Sequence, residues 1–361
     1  MGACRLMIQS VGSATPAISL ALAHALPFSR EHLARCVYQA PAVLLDGIER
    51  KEADTLCEIL ARSGLEVSVD DIESPFTVGG PEYEVAIHVE DNAGFRDIAA
   101  ELARFIGSTP ARAVELLCAS PAIVLGQVSW STVQALRARM EKLGALLDVS
   151  KVAEAHYDVF IDAQQEPLRH RLQRELSKRG VDCIKEGPLL ASGINREVAN
   201  ALWQRSGSQK GWCLLDQAFQ RFDIWLEEPA QSERAIAAII NCTGMPAELI
   251  PRINAALPFL LLESVASTEA SAILASLNES GVRAVAQLIT LVKWDLNVQS
   301  VQDPRAAIQI IHRIAGKDDA TLLHSLSRPP AKISVGFTLA RARWLVAELA
   351  AVGCRTELVS R

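Results

Sequence analysis

The chain has 361 residues, of which half are apolar and 22% are charged, and its formal net charge is -6 at pH 7. This composition is typical of a folded globular protein and excludes a largely disordered chain. The acidic balance argues against a protein that binds nucleic acid or an anionic membrane over its whole surface, since such proteins use basic surfaces. No apolar run approaches the length of about 18 residues that a membrane-spanning helix needs, so we expect no membrane insertion.

The eight cysteines lie far apart in the sequence and include no CxxC pair. Zinc sites require Cys or His ligands at short, regular spacings, which this chain lacks. Isolated cysteines at apolar positions are typical of reduced thiols in the cores of intracellular proteins. We therefore predict a cytoplasmic protein with free thiols, without a metal site and without a cofactor.

A proline followed after 23 residues by a glycine occurs five times along the chain, each time within a similar alternation of apolar and polar residues. Such a repeated spacing indicates five copies of one supersecondary unit, each with a small core of its own. The five pairs are Pro41 and Gly64, Pro121 and Gly144, Pro188 and Gly211, Pro258 and Gly281, and Pro330 and Gly353.

The second copy displays the elements of the unit most clearly. Residues Tyr83 to Val89 alternate between apolar and polar types, as a half-buried strand does. Apolar residues at helical spacing from Phe95 to Ile106 predict a helix that ends at Gly107, and Pro110 begins a second helix. A strand over 123–128, a third helix over 129–143 and a strand over 145–149 complete the order βααβαβ.

We place the copies at residues 1–72, 82–152, 156–217, 221–290 and 291–361. The Pro- and Gly-containing stretch from Asp70 to Glu82 is predicted to be a linker. Copies four and five have almost no spacer between them, which predicts that these two pack together. The first strand of copy three begins only 31 residues before its proline, against 38 in copy two, so we expect a shortened helix there.

The recurring residues resemble the C-terminal domain of the bacterial ribosomal stalk protein. That family has Thr-Gly at the end of its first helix, then proline, a branched apolar residue, Gly-Val, alanine, two apolar helix positions and a closing glycine. The first copy has Pro41, Leu44, Gly47, Ile48, Ala53, Leu56, Leu60 and Gly64 at these places. The fourth has Thr243, Gly244, Pro258, Leu261, Val265, Ala270, Ile273, Leu277 and Gly281, and the fifth has Gly316, Pro330, Ile333, Gly336, Phe337, Ala342, Leu345, Leu349 and Gly353.

The same fold occurs in the small adaptor that delivers N-degron substrates to the Clp protease. The resemblance implies an α+β fold of five tandem βααβαβ domains, each a three-stranded antiparallel sheet with helices on one face. Stalk domains contact GTPases through a first-helix region rich in lysine and arginine. The matching segments 17–25, 98–106 and 235–240 contain almost no basic residue.

The most basic stretch of the chain lies in copy three, from Glu166 to Gly180. Its leucines recur at helical spacing, which predicts a helix with one buried face and one basic face. A basic face is either a solvated surface, with Arg171 paired to Glu175 one turn later, or a binding surface for an acidic protein or a nucleotide. The candidate binding residues of this helix are Arg169, Arg171, Arg174 and Lys178.

Three tryptophans are candidates for binding or for packing. Trp130 begins the third helix of copy two at a predicted solvent-facing position, where it could contact a neighbouring copy. Trp203 stands fifteen residues after Pro188, where the other copies have aliphatic residues, and it is therefore predicted to be a core residue. Trp212 follows the closing glycine of copy three and is predicted to pack as well.

We find no nucleophile beside a base, no paired carboxylates and no phosphate-binding loop in the sequence. We therefore predict a non-catalytic scaffold or adaptor that binds one or several proteins through tandem copies. Two alternatives remain open. One is an enzyme or ligand-binding protein with a pocket between copies near copy three, and the other is an adaptor linked to translation or to a protease.

Overall fold

The computed structural model describes residues 3–16, 18–75, 80–90, 94–326 and 329–361. These residues form five three-stranded antiparallel sheets, and in each sheet the first strand of the copy lies between the other two. Helices accompany every sheet. The predicted α+β fold class is therefore confirmed.

The elements follow the predicted order, apart from one helix of copy three. Copy one contains β1 (Ala3–Ser10), α1 (Ile18–Ala25), α2 (Arg30–Tyr38), β2 (Ala42–Glu49), α3 (Arg50–Arg62) and β3 (Glu66–Asp71). Copy two contains β4 (Tyr83–Val89), α4 (Phe95–Ile106), α5 (Pro110–Leu117), β5 (Ile123–Val128), α6 (Trp130–Met140) and β6 (Ala145–Lys151). Copy three contains β7 (His156–Ile161), α7 (Glu166–Ser177), β8 (Leu189–Asn195), α8 (Arg196–Ser206) and β9 (Trp212–Asp216). Copy four contains β10 (Arg221–Leu226), α9 (Glu233–Thr243), α10 (Ile250–Ala255), β11 (Phe259–Ala266), α11 (Ser267–Glu279) and β12 (Ala284–Leu288), and copy five contains β13 (Trp294–Ser300), α12 (Pro304–Ala315), α13 (Asp319–Leu326), β14 (Ala331–Phe337), α14 (Leu339–Ala350) and β15 (Arg355–Ser360).

Each copy closes its own hydrophobic core between its sheet and its helices. In copy two, Phe95, Leu102 and Phe105 of α4 are fully buried, and they pack with Val85 and Ile87 of β4. Burying a side chain of this size stabilises the fold by roughly 1.5 to 3 kcal/mol. The alternation in the strands and the helical spacing of the apolar residues therefore produce five small cores.

Copy three lacks the second helix that the other copies have. Residues 178–188 connect α7 to β8 without helical structure, where we expected a shortened helix. Arg169 of α7 is buried, and its guanidinium donates hydrogen bonds to the carbonyl oxygens of Ile184 and Lys185, both at 3.5 Å, and of Gly187. One buried arginine therefore fixes the path of the chain where the other copies have a helix.

The strand that follows the proline has one residue with a left-handed backbone in every copy. An aspartate of the first strand accepts hydrogen bonds at this place in copies three, four and five. In copy five, the buried Asp295 carboxylate accepts from the N–H groups of Val335 at 2.9 Å and Gly336 at 3.0 Å. The left-handed residues, with φ from 55° to 74°, are Gly47, Gln127, Gly193, Ser264 and Gly336.

The corresponding aspartate of copy three also binds the segment that leads into copy four. Asp158 accepts hydrogen bonds from the Gly193 N–H group at 3.0 Å and the Ser192 hydroxyl at 2.8 Å. The side-chain amide groups of Gln217, at the end of copy three, and of Gln220, just before copy four, donate to the same carboxylate at 2.8 Å and 2.7 Å. One carboxylate therefore holds both the strand of copy three and the connection to the next copy.

The five copies form two compact units, Met1–Ala153 with Lys293–Arg361 and Glu154–Val292. Copy five thus belongs to the same unit as copies one and two, and copy four belongs to the same unit as copy three. Within the first unit, Arg96 of copy two donates to the Glu348 carboxylate of copy five at 2.8 Å, across 252 residues of sequence. Phe95 and Trp344 stack beside this ion pair, with ring centroids 5.2 Å apart.

Copies one and two meet at the N-terminal end of α6. The Ser129 N–H group donates to the Tyr38 carbonyl oxygen at 2.8 Å, and the Thr132 hydroxyl donates to the same oxygen at 3.0 Å. The predicted linker between these copies overlaps β3 at Asp70 and Asp71, and its residues 76–79 lie outside the described residues.

Replacement of Asp295 by alanine should lower the free energy of unfolding by about 2 kcal/mol, because two buried N–H groups lose a charged acceptor. Urea denaturation followed by circular dichroism measures this change. Asp97→Ala, at an exposed position of α4, is the control and should cost less than about 1 kcal/mol. Equal losses in the two variants would contradict the role of Asp295.

The Asp295 carboxylate also predicts a pH dependence of stability. Burial favours a higher pKa for Asp295. Hydrogen bonds from the Gly336 and Val335 N–H groups and the Ser334 hydroxyl, with the charge of Lys332, together outweigh burial, and the pKa lies below its ordinary value. Such a group stabilises the fold above its unfolded pKa of about 3.9, and this contribution is lost as the pH falls through the folded pKa. The stability difference between the wild type and Asp295→Ala should be constant near neutral pH and should shrink below about pH 4. A difference that persisted unchanged in acid would count against an ionic role.

Candidate functional site

The left-handed strand residue determines where the third helix of each copy begins. It lies six residues after the proline in four copies, but in copy three Gly193 lies only five residues after Pro188. In all five copies the helix begins three residues after the left-handed residue. Helix α8 therefore begins one residue earlier, counted from the proline, than the third helix of the other copies. The segment between the start of α8 and Gly211 is one residue longer, so the spacing of 23 residues from Pro188 to Gly211 is kept.

This shift moves Trp203 out of the core of copy three. The core position lies nine residues after the left-handed residue, and in copy three it is occupied by Leu202, which is 1% exposed. Trp203 lies one residue further on and is 56% exposed, so the prediction that it is a core residue is wrong. No large apolar side chain among the described residues is more exposed.

The Trp203 ring is nevertheless held in place by its neighbours. It lies against Gly207, where an added Cβ atom would come within 2.8 Å of the ring. Its centroid is 6.0 Å from that of Trp212, at an interplanar angle of 48°. The Trp212 indole N–H group donates to the Ser206 carbonyl oxygen at 2.9 Å, and Trp212 packs against the core of copy three as predicted. We call Trp203 and Trp212 the tryptophan surface.

Trp212 also lines a cleft between copies three and four, with a volume of about 570 Å³. Ligand pockets in proteins have volumes of roughly 300 to 1,000 Å³. Among the residues that line the cleft, Asp162 carries a carboxylate. Burial, with a smaller contribution from the charge of Asp162, raises the pKa of the Cys213 thiol. The remaining lining residues are Phe160, Ile161, Pro188, Gly211, Leu288, Leu291 and Val292. Most of the cleft lining is therefore apolar, and Trp212 is the residue that the cleft shares with the tryptophan surface.

The predicted ion pair between Arg171 and Glu175 is absent from the described part of copy three. The Glu175 carboxylate binds Lys178 at 2.9 Å, Arg179 at 3.2 Å and also Arg205 of α8. Hydrogen bonds from Lys178 and Arg179, and the charge of Arg205, lower the pKa of Glu175 to about 2. Three cations therefore share one carboxylate at this end of α7, and the cluster keeps a positive charge at neutral pH.

The four basic residues predicted on α7 do not form one surface. Arg169 is buried and binds the backbone of the following connection. Arg171 is half-buried, whereas Arg174 and Lys178 are exposed. Among the described residues Arg174 makes no ion pair, and with Lys178 it lines a shallow depression whose other residues are His170, Gln173 and Ser177. We call this depression the basic face of α7.

Trp130 lies in copy two, in the other compact unit, and does not join the candidate residues of copy three. Its side chain is 45% exposed, in agreement with the predicted solvent-facing position. The ring packs against Tyr83, with centroids 5.1 Å apart, and the Arg137 guanidinium lies 5.4 Å above it.

Over the described ranges, no group of three or more His, Cys, Asp or Glu side chains could hold a metal ion. The described helices also include none that is long and apolar enough to cross a lipid bilayer. Burial raises the pKa of the Cys118 thiol to about 11, an effect that the nearby Arg341 only partly offsets. Such a thiol remains protonated at neutral pH, which does not suit a nucleophile.

Comparison of the chain with models of known protein families and with curated proteins found no match. The site is therefore interpreted from its geometry. Its main features are an exposed and fixed indole ring, an apolar cleft next to it, and a basic face on the preceding helix.

Acrylamide quenching of tryptophan fluorescence should detect the exposed position of Trp203. Of the six tryptophans, Trp203 should contribute the largest quenchable fraction, and Trp203→Phe should therefore reduce quenching more than any other single replacement. Trp344→Phe is the matched control, because Trp344 is stacked on Phe95. Equal effects of the two replacements would place Trp203 in the core and contradict the helix shift.

Proposed function

We propose that the chain is a non-catalytic scaffold or adaptor of the bacterial cytoplasm that binds a protein partner through the tryptophan surface of copy three. The observation behind this proposal is the 56% exposure of Trp203. Tryptophan is among the residues that contribute most to protein-protein binding, and burying its large ring on association is strongly favourable. An exposed indole beside an apolar cleft is typical of a contact surface.

The fixed position of Trp203 also favours binding. A side chain that must be immobilised on association costs roughly 0.5 to 1.5 kcal/mol of conformational entropy. Gly207 and Trp212 already restrict the Trp203 ring in the free protein. Association therefore loses little further conformational entropy at this side chain. The glycine at position 207 thus supports the surface, because any larger residue would displace the ring.

The exposed residues of the basic face of α7 remain predicted binding residues and are included in the proposal. Arg174 and Lys178 present positive charge, and Arg171 lies beside them. Surface charges of this kind contribute more to association rate and partner choice than to affinity. Tandem copies could add further contacts, and linked contacts raise the overall strength of binding when their spacing suits the partner.

Replacement of Trp203 by alanine should remove a protein that the wild-type chain captures from bacterial lysate. Ile59→Ala is a matched control, because Ile59 has the same 56% exposure and lies on the corresponding helix of copy one. Quantitative mass spectrometry of the captured proteins compares the wild type with both variants. A partner lost from Trp203→Ala by roughly tenfold or more, as hot-spot residues predict, and retained by Ile59→Ala supports the proposal. Identical captured proteins for all three chains would refute it.

A second candidate function is suggested by the apolar cleft, which is large enough for a small apolar molecule. Cys213→Trp should fill part of the cleft from within. If a small molecule occupies the cleft, native mass spectrometry of the wild-type chain should detect a bound mass that Cys213→Trp lacks. No bound mass in the wild type, with a partner dependent on Trp203, favours the protein-binding function.

A further inference from the structure

Two basic residues, Arg196 and Lys210, lie close in sequence to the two residues of the tryptophan surface. Arg196 lies seven residues before Trp203 on α8, so both side chains lie on the same side of the helix, about 10 Å apart along its axis. Lys210 is exposed and lies two residues before Trp212. Within the described ranges neither Arg196 nor Lys210 takes part in an ion pair. The half-buried Arg196 and the exposed Lys210 are therefore two cations near the aromatic pair that no described ion pair neutralises.

Positive charge exceeds negative charge around α8, because the Glu175 carboxylate that binds Arg205 is shared with Lys178 and Arg179. The sequence from Val198 to Leu215 contains Arg205 and Lys210 and no acidic residue. Glu197 follows Arg196 directly and therefore points about a third of a turn away from it. Among the residues that line the cleft with Trp212, Asp162 carries a carboxylate. A ligand that extends along α8 from Trp203 thus meets Arg196 at the start of the helix and more positive than negative charge around it.

We infer that the partner of the tryptophan surface is an acidic protein segment with a bulky apolar residue at its centre. This inference rests on the proposed function and adds the chemistry of the partner. The apolar side chain packs between Trp203 and the mouth of the cleft, while carboxylates on either side pair with Arg196 and Lys210. The separation of about 10 Å corresponds to about three residues of extended chain, so a carboxylate three residues from the apolar centre reaches Arg196.

The charge distribution of the second unit favours a short acidic segment over a nucleic acid. Residues 156–217 contain nine Lys and Arg against eight Asp and Glu, whereas residues 221–290 contain four against eight. A long polyanion would extend from copy three onto the acidic copy four, and nucleic-acid affinity depends on many phosphate contacts. The apolar cleft would also receive an aliphatic or aromatic side chain better than a charged backbone.

The test uses a fluorescein-labelled peptide in which a central Phe-Leu pair has two glutamates on each side, three residues from the centre. Fluorescence anisotropy with the full chain measures its binding. A peptide with glutamine in place of every glutamate tests the charge, and one with serine in place of Phe-Leu tests the apolar centre. Binding of the glutamate peptide at least roughly tenfold tighter than either control, and weaker at higher salt, supports the inference.

Three variants of the chain examine the individual groups. Lys210→Gln should weaken binding of the glutamate peptide several-fold, and Asp162→Asn should strengthen it, because the cleft then lacks its repelling carboxylate. Arg112→Gln, an exposed arginine of copy two that is paired with Glu115, should leave binding unchanged. None of these replacements breaks a described contact within copy three.

The outcomes separate this inference from the proposed function. If Trp203→Ala loses its captured partner but the glutamate and glutamine peptides bind equally, the function stands and the acidic partner is refuted. If Asp162→Asn weakens binding, the cleft recognises a cation and the inference is wrong. Tighter binding of a single-stranded oligothymidylate than of the glutamate peptide would overturn it in favour of nucleic acid. If neither a Trp203-dependent partner nor peptide binding is found, both proposals fail.

Discussion

The Asp295 carboxylate binds the backbone N–H groups of Val335 and Gly336 at a residue with a left-handed conformation in the adjacent strand. This interaction aligns the first two strands of the copy, and the left-handed residue that it holds lies three residues before the next helix, as in every copy. Asp158 and Asp223 make the corresponding contact in copies three and four. In copy one the first strand has a cation at this position. Arg5 takes the place of the aspartate, and its Nε atom lies 3.5 Å from the carboxylate of Asp46 in the second strand. The position of every core residue on the third helix depends on this alignment.

The same constraint explains why copy three differs from the others. Its strand β8 reaches the left-handed residue one position early, so the whole of α8 is displaced by one residue relative to the proline. One residue corresponds to a rotation of about 100° around a helix, which is enough to carry a core position to the surface. Leu202 keeps the core filled, and the neighbouring Trp203 becomes exposed without loss of packing. A small change in strand length thus produced a large apolar surface.

Much of the fold could be predicted from the sequence, since the alternation in β4 and the helical spacing in α4 depend only on local chemistry. The Pro and Gly landmarks also located all five copies. Counting from the proline gives the wrong environment for Trp203. Copy three has one residue fewer before α8 and one more after it, so the spacing of 23 residues between Pro188 and Gly211 is unchanged. The left-handed residue of the second strand gives the correct alignment, since the core position lies nine residues after it in every copy, including Leu202 in copy three. The pairing of copies two and five through Arg96 and Glu348 had no local signal, because it joins residues 252 positions apart.

Of the predicted site residues, Arg174 and Lys178 lie on an exposed basic face, whereas Arg169 is used to hold the connection that replaces a helix. The loss of that helix and the displacement of α8 both occur in copy three, and together they give this copy a surface unlike that of the regular copies. On the proposed function, copy three is the copy that binds the partner. The other copies have Leu or Ile at the position of Leu202, and none has a tryptophan directly after it; in copy five Trp344 directly precedes Leu345 and stacks on Phe95.

Hydrogen-deuterium exchange of the full chain, with and without its captured partner, tests this account most directly. Amides of the segment 196–213 should gain protection when the partner binds, because it covers the surface around Trp203 and Trp212. The corresponding segment 130–146 of copy two should be unchanged. Protection confined to copy two, or to any copy other than the third, would contradict the assignment of the binding surface.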